Sequence, residues 1–362
     1  MTPRGAAPPW VAASFSRLWL RTCAFGRLDS DRLPPAPPAP APRAYPFRVN
    51  SGITILAPAK LNVALAVGGR DVDGYHPICS WMMTVDLYDH LELKRLPPDR
   101  FSRYAILWHP DARRCSDIDW SVTKDLAVRA HLALERHLQR RLPVQMKLEK
   151  RIPVGGGLGG GSTDAAAMLH AVHHLFELGL SIDELSDIGA TLGSDVPFLV
   201  RGGSAIVEGR GEQIEHHDQL PELSAVLVFP ESPCRTAEVY ERFDESAPGK
   251  LRSHAIRDLP GHRSSSALVK DIFNDLAAAA LGVAPALAPL LDDLSALAER
   301  PASISGSGST IFILCDDPLH AEFLAGAIER ELAVPAIAVR SVDGHRIADE
   351  QAKLGMRGIP EV

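Results

Sequence analysis

Residues 153–172 read PVGGGLGGGSTDAAAMLHAV, with six glycines in the seven positions 155–161 and an alanine-rich, helix-forming stretch behind them. Consecutive glycines let successive backbone N–H groups turn into one concavity, and the following helix adds the unpaired N–H groups of its first turn. Ser162 and Thr163 put two hydroxyls at the same mouth, in reach of a phosphate or a magnesium ion. The chemistry implied is the cradling of a polyanion, most simply a nucleoside triphosphate. Two commoner loops fit by pattern and fail by context. Gly155-x-Gly157-x-x-Gly160 satisfies the dinucleotide fingerprint, but that unit needs a strand ending in an acidic residue after its helix, and a second helix follows instead. Gly156-x-x-x-x-Gly161-Ser162-Thr163 aligns with a P-loop, yet Ser162 stands where a lysine would carry charge toward the β- and γ-phosphates. The positive charge must come from elsewhere in the chain.

Other residues could do chemistry, and each has a plain reading beside it. Lys60 lies inside the apolar stretch APAKLNVAL, where a lysine by default extends its ammonium to solvent. Asp195 follows a helical segment in a Gly-Ser turn, a frequent place for a capping carboxylate. The DGYH turn at 73–76 displays a phenol and an imidazole, which suit a flat base but also decorate many hairpins. The pairs His173-His174 and His216-His217 lack ligand spacing. Five scattered cysteines without a CxxC pair point to reduced thiols rather than a disulfide frame or a zinc site.

The elements that must position these groups follow from periodicity. Ile53–Gly69 and Ser80–Lys94 read as strand regions joined by a turn at Asp73-Gly74. Leu126, Ala130, Leu134 and Leu138 recur at helical spacing, and Val144, Met146 and Leu148 alternate on one face of a strand. The glycine loop therefore lies between a strand and a helix whose stripe runs from Ala165 to Phe176 and which Gly179 closes. Ser181–Glu184 is a capping box opening a helix to about Leu192. GSAIVEGRGE reads as a hairpin, SAVLVF as a fresh strand, and SISGSGSTIFIL places a second Gly/Ser turn before a strand.

At 362 residues the chain suits two modest domains with an extension. Its net charge of −7 provides no general field for nucleic acid or an anionic membrane. The longest apolar run, Leu276–Leu291, is short for a membrane span and interrupted by Pro285 and Pro289, so it reads as helical cover for a core. Residues 1–50 hold seven Arg, two acidic residues and a proline-rich tract, a composition expected to stay extended outside the fold. The expected domains are therefore 51–220 and 221–350, parted near Pro221, with a tail at 351–362.

Taken together, PAKLN, DGYH, GGGLGGGSTDAA, TLGSDVPF, EGRGE and the late SGSGS resemble the ordered motifs of the GHMP small-molecule kinases, over roughly Ile53 to Val342. The resemblance implies an α/β fold, the α+β two-domain GHMP kinase architecture, with the active site in the inter-domain cleft. It implies transfer of phosphate from ATP, with Mg²⁺, to a hydroxyl of a small molecule. DGYH favours an acceptor bearing a cytidine diphosphate and argues against a homoserine-type kinase; retention of Lys60 and Asp195 argues against a silent ligand sensor. It further implies Asp195 as the group that orients and deprotonates the acceptor, and Lys60 as the cation beside it. Pro153, Val154, Gly155, Gly156, Gly157, Leu158, Gly159, Gly160, Gly161, Ser162 and Thr163 would hold the nucleotide. Asn62, Tyr75, His76 and, on a looser alignment, Phe273 would hold the acceptor, while SGSGS would support the glycine loop. Ser162, Thr163 and Asp164 all remain open as magnesium ligands. The expected setting is cytoplasmic, monomeric or weakly dimeric, with no nucleic-acid or membrane partner.

Overall fold

The computed structural model describes residues 52–217, 221–246, 249–261 and 265–353. The extension at 1–50 and most of the tail lie outside the described residues. The first sheet is built on two long antiparallel strands, β1 (Gly52–Val67) and β2 (Ile78–Arg95). The far edge of β2 is shared. Its C-terminal half pairs with β4 (Val144–Lys150), which in turn takes β3 (Arg103–Trp108) in parallel; its N-terminal half pairs with β5 (Ser204–Gly209), followed by β6 (Gln213–His216). Between those partners the far edge of β2 has no strand ladder among the described residues, and Asp89, paired with Ala57 of β1 on the other edge, stands at this gap. β3 is an element beyond those expected from the sequence; its half-buried Tyr104, Ile106 and Trp108 alternate with exposed residues, as an edge strand requires.

A register shift between Pro58 and Ala59 governs where the site forms. Ile53, Ile55 and Ala57 belong to the core under the helices, whereas Ala59, Leu61 and Val63 belong to the core shared with the second sheet. The odd positions thus change sides at the shift, which leaves Lys60 and Asn62 on the side away from the shared core. The helical cover comprises α1 (Leu126–His137), capped by the Asp125 carboxylate on the N–H groups of Ala127 and Val128, α2 (Gly160–Leu175), α3 (Ile182–Ala190) with its capping box formed, and α4 (Val196–Arg201).

The second sheet is antiparallel, in the order β10-β7-β9-β8, from β7 (Ser224–Val228), β8 (Ser303–Ile304), β9 (Ile311–Cys315) and β10 (Ala336–Arg340). Short α5 (Thr236–Asp244), α6 (His254–Arg257) and α7 (Ser265–Leu268) lie in the chain between β7 and β8, and α5 lines the cleft. The apolar run after Leu276 divides into α8 (Ala277–Val283) and α9 (Leu287–Ala298) around Pro285, while Pro289 sits in the first turn of α9, where its missing N–H costs nothing. The last two helices are α10 (Pro318–Glu331) and α11 (Gly344–Lys353). Leu227, Phe312 and Val339 of this sheet pack with Trp81 and Met83 of β2, so the two halves share one core. The result is a two-domain α/β architecture with mixed sheets and flanking helices. Among the described residues, no helix is long and apolar enough to cross a membrane.

Candidate active site

Lys60 is 5% exposed, and its ammonium is not left to snorkel. The Nζ donates to Asn62 Oδ1 and lies 3.7 Å from Asp195 Oδ2. Asn62 Nδ2 donates to Ser80 Oγ at 2.8 Å, and that hydroxyl donates to the Ala64 carbonyl at 2.9 Å. Every polar atom of this buried chain therefore has a partner, which fixes the ammonium in one place. Asp195 opens α4 as well as following α3, so it faces the start of a helix. Its side chain makes no capping bond and keeps 28% exposure, which leaves carboxylate oxygen available to an incoming group.

Part of the glycine loop is threaded through contacts that no Cβ could enter. Gly155, Gly157 and Gly159 have φ of 72°, 79° and 69°, the left-handed region that favours glycine. A Cβ on Gly157 would stand 2.3 Å from the Ser305 carbonyl oxygen, one on Gly308 2.2 Å from the Gly156 carbonyl carbon, and one on Gly159 2.7 Å from Lys60 Cγ. The Thr310 N–H donates to Gly156 O at 3.2 Å, and the Lys60 N–H donates to Leu158 O at 2.9 Å. SGSGS thus abuts the glycine loop backbone to backbone. Asn274 holds this second turn by donating its amide to the carbonyls of Ile304 (2.8 Å) and Gly306 (2.7 Å).

Beneath the loop lies a group of buried charges missed by the sequence reading. Lys150, at the end of β4, donates to both Asp89 and Asp164, and all three are at most 3% exposed. Asp89 also accepts from the backbone N–H groups of Arg151 and Ile152 (2.8 Å for the latter), anchoring the chain as it leaves β4 for the glycines. Burial alone would pull the Lys150 pKa down, but the adjacent Asp164 and Asp89 carboxylates outweigh it and hold the ammonium charged. Burial pushes Asp164 well above the usual carboxylate range against the pull of Lys150. Its Oδ1 has no hydrogen-bond partner among the described residues. The signal was legible: Lys150 continues the inward set Val144, Met146, Leu148, and Asp89 continues Leu93, Leu91 on the paired strand. Two opposite charges on facing apolar stripes imply a buried pair.

The connection Gly68–Pro77 forms the opposite wall. His76 Nδ1 lies 2.9 Å from the Gly68 carbonyl, its Nε2 is 3.2 Å from Asp244 Oδ1, and its ring packs on Tyr240 and Phe243. Arg70 reaches the other oxygen of Asp244. Tyr75 is 59% exposed, with the Arg210 guanidinium over its ring. Tyr240 is an aromatic of the cleft that the sequence reading also missed; burial, and then the nearby Asp195 charge, push its phenol up to about 12, so it stays protonated. Phe273 is elsewhere. Its ring joins the shared core beneath Arg252, and only its carbonyl works nearby, accepting from the Leu65 N–H at 2.9 Å.

A cleft of about 970 Å³ runs between these walls. It is lined by Lys60, Asn62, Tyr75, His76, Asp195 and every residue from Pro153 to Ser162, together with Trp120, Lys124, Lys150, Asp164, Arg210 and Tyr240. Thr163 is 1% exposed and turned into the core instead. The glycine loop and the hairpin thus line one space, and Lys60 and Asp195 lie on the same lining.

Comparison with known proteins agrees with this geometry. Residues 125–203 match the family model "GHMP kinases N terminal domain", and residues 264–334 match "GHMP kinases C terminal". The chain is 35% identical to a 4-diphosphocytidyl-2-C-methyl-D-erythritol kinase of Bacillus cereus (strain B4264) over 296 residues, covering 80% of this chain and 98% of that protein. A crystal structure of a 4-(cytidine 5′-diphospho)-2C-methyl-D-erythritol kinase superposes with a TM-score of 0.65 at 31% identity, covering 81% of this chain and 100% of the other. Homoserine kinase from Cytophaga hutchinsonii shares the fold, with a TM-score of 0.58 at 18% identity over 83% of this chain and 97% of that one. With both halves of the family pattern matched around one cleft, the chain belongs to the GHMP kinases and is a phosphotransferase that acts on a small-molecule alcohol.

Proposed function

We propose that the protein transfers the γ-phosphoryl group of ATP to the 2-hydroxyl of 4-(cytidine 5′-diphospho)-2-C-methyl-D-erythritol, a step of the non-mevalonate route to isoprenoids. The observation that carries this reading is the Lys60–Asp195 pair, 3.7 Å apart, in a cleft lined by both the glycine loop and the DGYH hairpin. The triphosphate lies against the N–H groups of the glycine loop and the start of α2. Asp195 accepts the hydroxyl proton as the acceptor oxygen bonds to the γ-phosphorus; the bond from that phosphorus to the β,γ-bridging oxygen breaks, and ADP leaves with that oxygen. Lys60, held by Asn62, stabilises the charge on the transferring group, which supplies the cation missing at Ser162.

The residues at the loop fit a magnesium ion carried with the nucleotide. Of the three hydroxyl and carboxylate candidates, Ser162 and Asp164 line the cleft, Asp164 with Oδ2 on Lys150 and Oδ1 unpartnered among the described residues, whereas Thr163 is buried. Magnesium needs only one or two protein ligands beside phosphate and water. When bound, it neutralises charge on the β- and γ-phosphate oxygens. At the other end, the Tyr75 and Tyr240 rings suit a pyrimidine base, with the His76 ring packed against Tyr240. The enzyme so described works in the cytoplasm as a monomer or weak dimer, with no nucleic-acid or membrane partner.

The test is to offer γ-labelled ATP with the cytidine-bearing alcohol and, separately, with homoserine. Label should pass to the first acceptor alone. Transfer to homoserine, or to neither, would remove the assignment.

A further inference from the structure

The hairpin that carries Tyr75 has an exposed tip. Val72 at its tip is fully exposed, and Tyr75 keeps 59% of its surface open. Asp71 closes the turn internally: its N–H donates to Tyr75 O at 2.7 Å, and its Oδ1 accepts from the N–H groups of Asp73 (3.0 Å) and Tyr75 (2.9 Å). Those bonds shape the tip, while the base of the hairpin is tied to α5 through Arg70 and His76, which both meet Asp244.

Arg210 holds the tip. Its Nη2 donates to Asp71 Oδ2 at 2.9 Å and to Asp73 Oδ2 at 2.7 Å, and its guanidinium carbon stands 4.4 Å from the Tyr75 ring centroid. A flat guanidinium can stack on a ring while its fork engages carboxylates, which an ammonium cannot do. Arg210 is itself held in the β5–β6 turn. Gly209 and Gly211 there have φ of 72° and 110°, and a Cβ on Gly211 would fall 2.9 Å from both Cβ and O of Ser194. The turn thus rests on the residue immediately before Asp195. The glycines of EGRGE allow that approach, and the arginine between them reaches across to the hairpin.

We infer that Arg210 is a positioning residue for the acceptor: it backs one face of Tyr75 and fixes the hairpin relative to Asp195, leaving the exposed part of the ring as a preset platform for the nucleobase. This rests on the acceptor reading given above. An exposed Arg–Asp pair adds little to global stability, so a merely structural role has a different signature.

The experiment compares Arg210→Ala, Arg210→Lys, Tyr75→Ala and the Arg210→Ala/Tyr75→Ala double variant, with ATP and the cytidine-bearing alcohol as substrates. Arg210→Ala should raise the acceptor KM roughly tenfold, in the range of one lost stacking contact, with ATP KM and Tm almost unmoved. Arg210→Lys should recover only part of this. In the Tyr75→Ala background, removing Arg210 should change the acceptor KM less than about twofold, because the two act as one unit. An unchanged acceptor KM in Arg210→Ala, or full additivity in the double variant, overturns the inference while the acceptor assignment stands. A wild-type protein that does not phosphorylate the alcohol overturns both.

Discussion

A lysine 5% exposed is costly to charge unless its surroundings repay the lost water, and Lys60 has Asn62 Oδ1 and the Asp195 carboxylate to do so. If Asp195 takes the acceptor proton, Asp195→Asn should lower kcat by about a thousandfold or more with ATP affinity retained, read from steady-state kinetics beside nucleotide titration. Near-normal turnover would remove it from that role. Lys150 offers a contrast, since its partners are structural. Lys150→Met leaves Asp89 and Asp164 buried together without a cation, and should destabilise the fold by about 3–5 kcal/mol in urea unfolding. Nothing local in the sequence joins Lys60 to Asp195, 135 positions later; only the resemblance of the surrounding motifs paired them. The Lys150–Asp89 pair, by contrast, is legible from strand parity. Tyr240 carries no such mark, because a tyrosine on a short amphipathic helix looks the same whether it faces a core or a cleft.

At the scale of elements, the six-glycine run needs its partner turn. Gly308→Ala would drive a Cβ into the Gly156 backbone, so it should weaken ATP binding at least tenfold and lower Tm, whereas Gly249→Ala, with nothing within 4 Å of its added carbon, should do neither. Parallel nucleotide titrations and melting curves decide this; equal behaviour of the two variants would contradict the backbone contact. The strands and helices around the loop were readable because their periodicities are long and clean, as in Val144–Lys150 and the Ser181 capping box. The register shift at Pro58 was not, since no local residue pattern announces that odd positions will change cores there. Nor was α4, six residues long with Pro197 in its first turn, too short for a periodic signal. Phe273 shows the same limit, one step of loop path having decided whether the ring faced the cleft or the core.

Across the whole molecule, several histidines are held neutral. Burial first, then the charges of Arg151 and His109, pull His90 down to about 4, and burial likewise lowers His131, His170 and His216. The unfolded chain binds these protons more readily, so stability is full above about pH 6.5 and is lost as pH falls toward the lowered values. Asp164, shifted upward, works in the opposite sense but is one group against five, since burial lowers His173 as well. Tm should therefore drop by several degrees from pH 7.5 to pH 5, and His90→Gln should flatten part of that slope; a pH-independent Tm would contradict the sign. The two-domain frame was expected from motif order, but the core shared by Trp81, Phe312 and Val339 was not, because contacts between distant strands leave no trace in either strand alone. We propose that this frame brings Lys60 and Asp195 together as the site of phosphoryl transfer. Phosphorus NMR of the protein with Mg·ATP and 4-(cytidine 5′-diphospho)-2-C-methyl-D-erythritol tests it most directly. One new phosphomonoester on the 2-hydroxyl is expected for each ADP formed. ADP without that ester, or both ligands bound with no ADP at all, would contradict it.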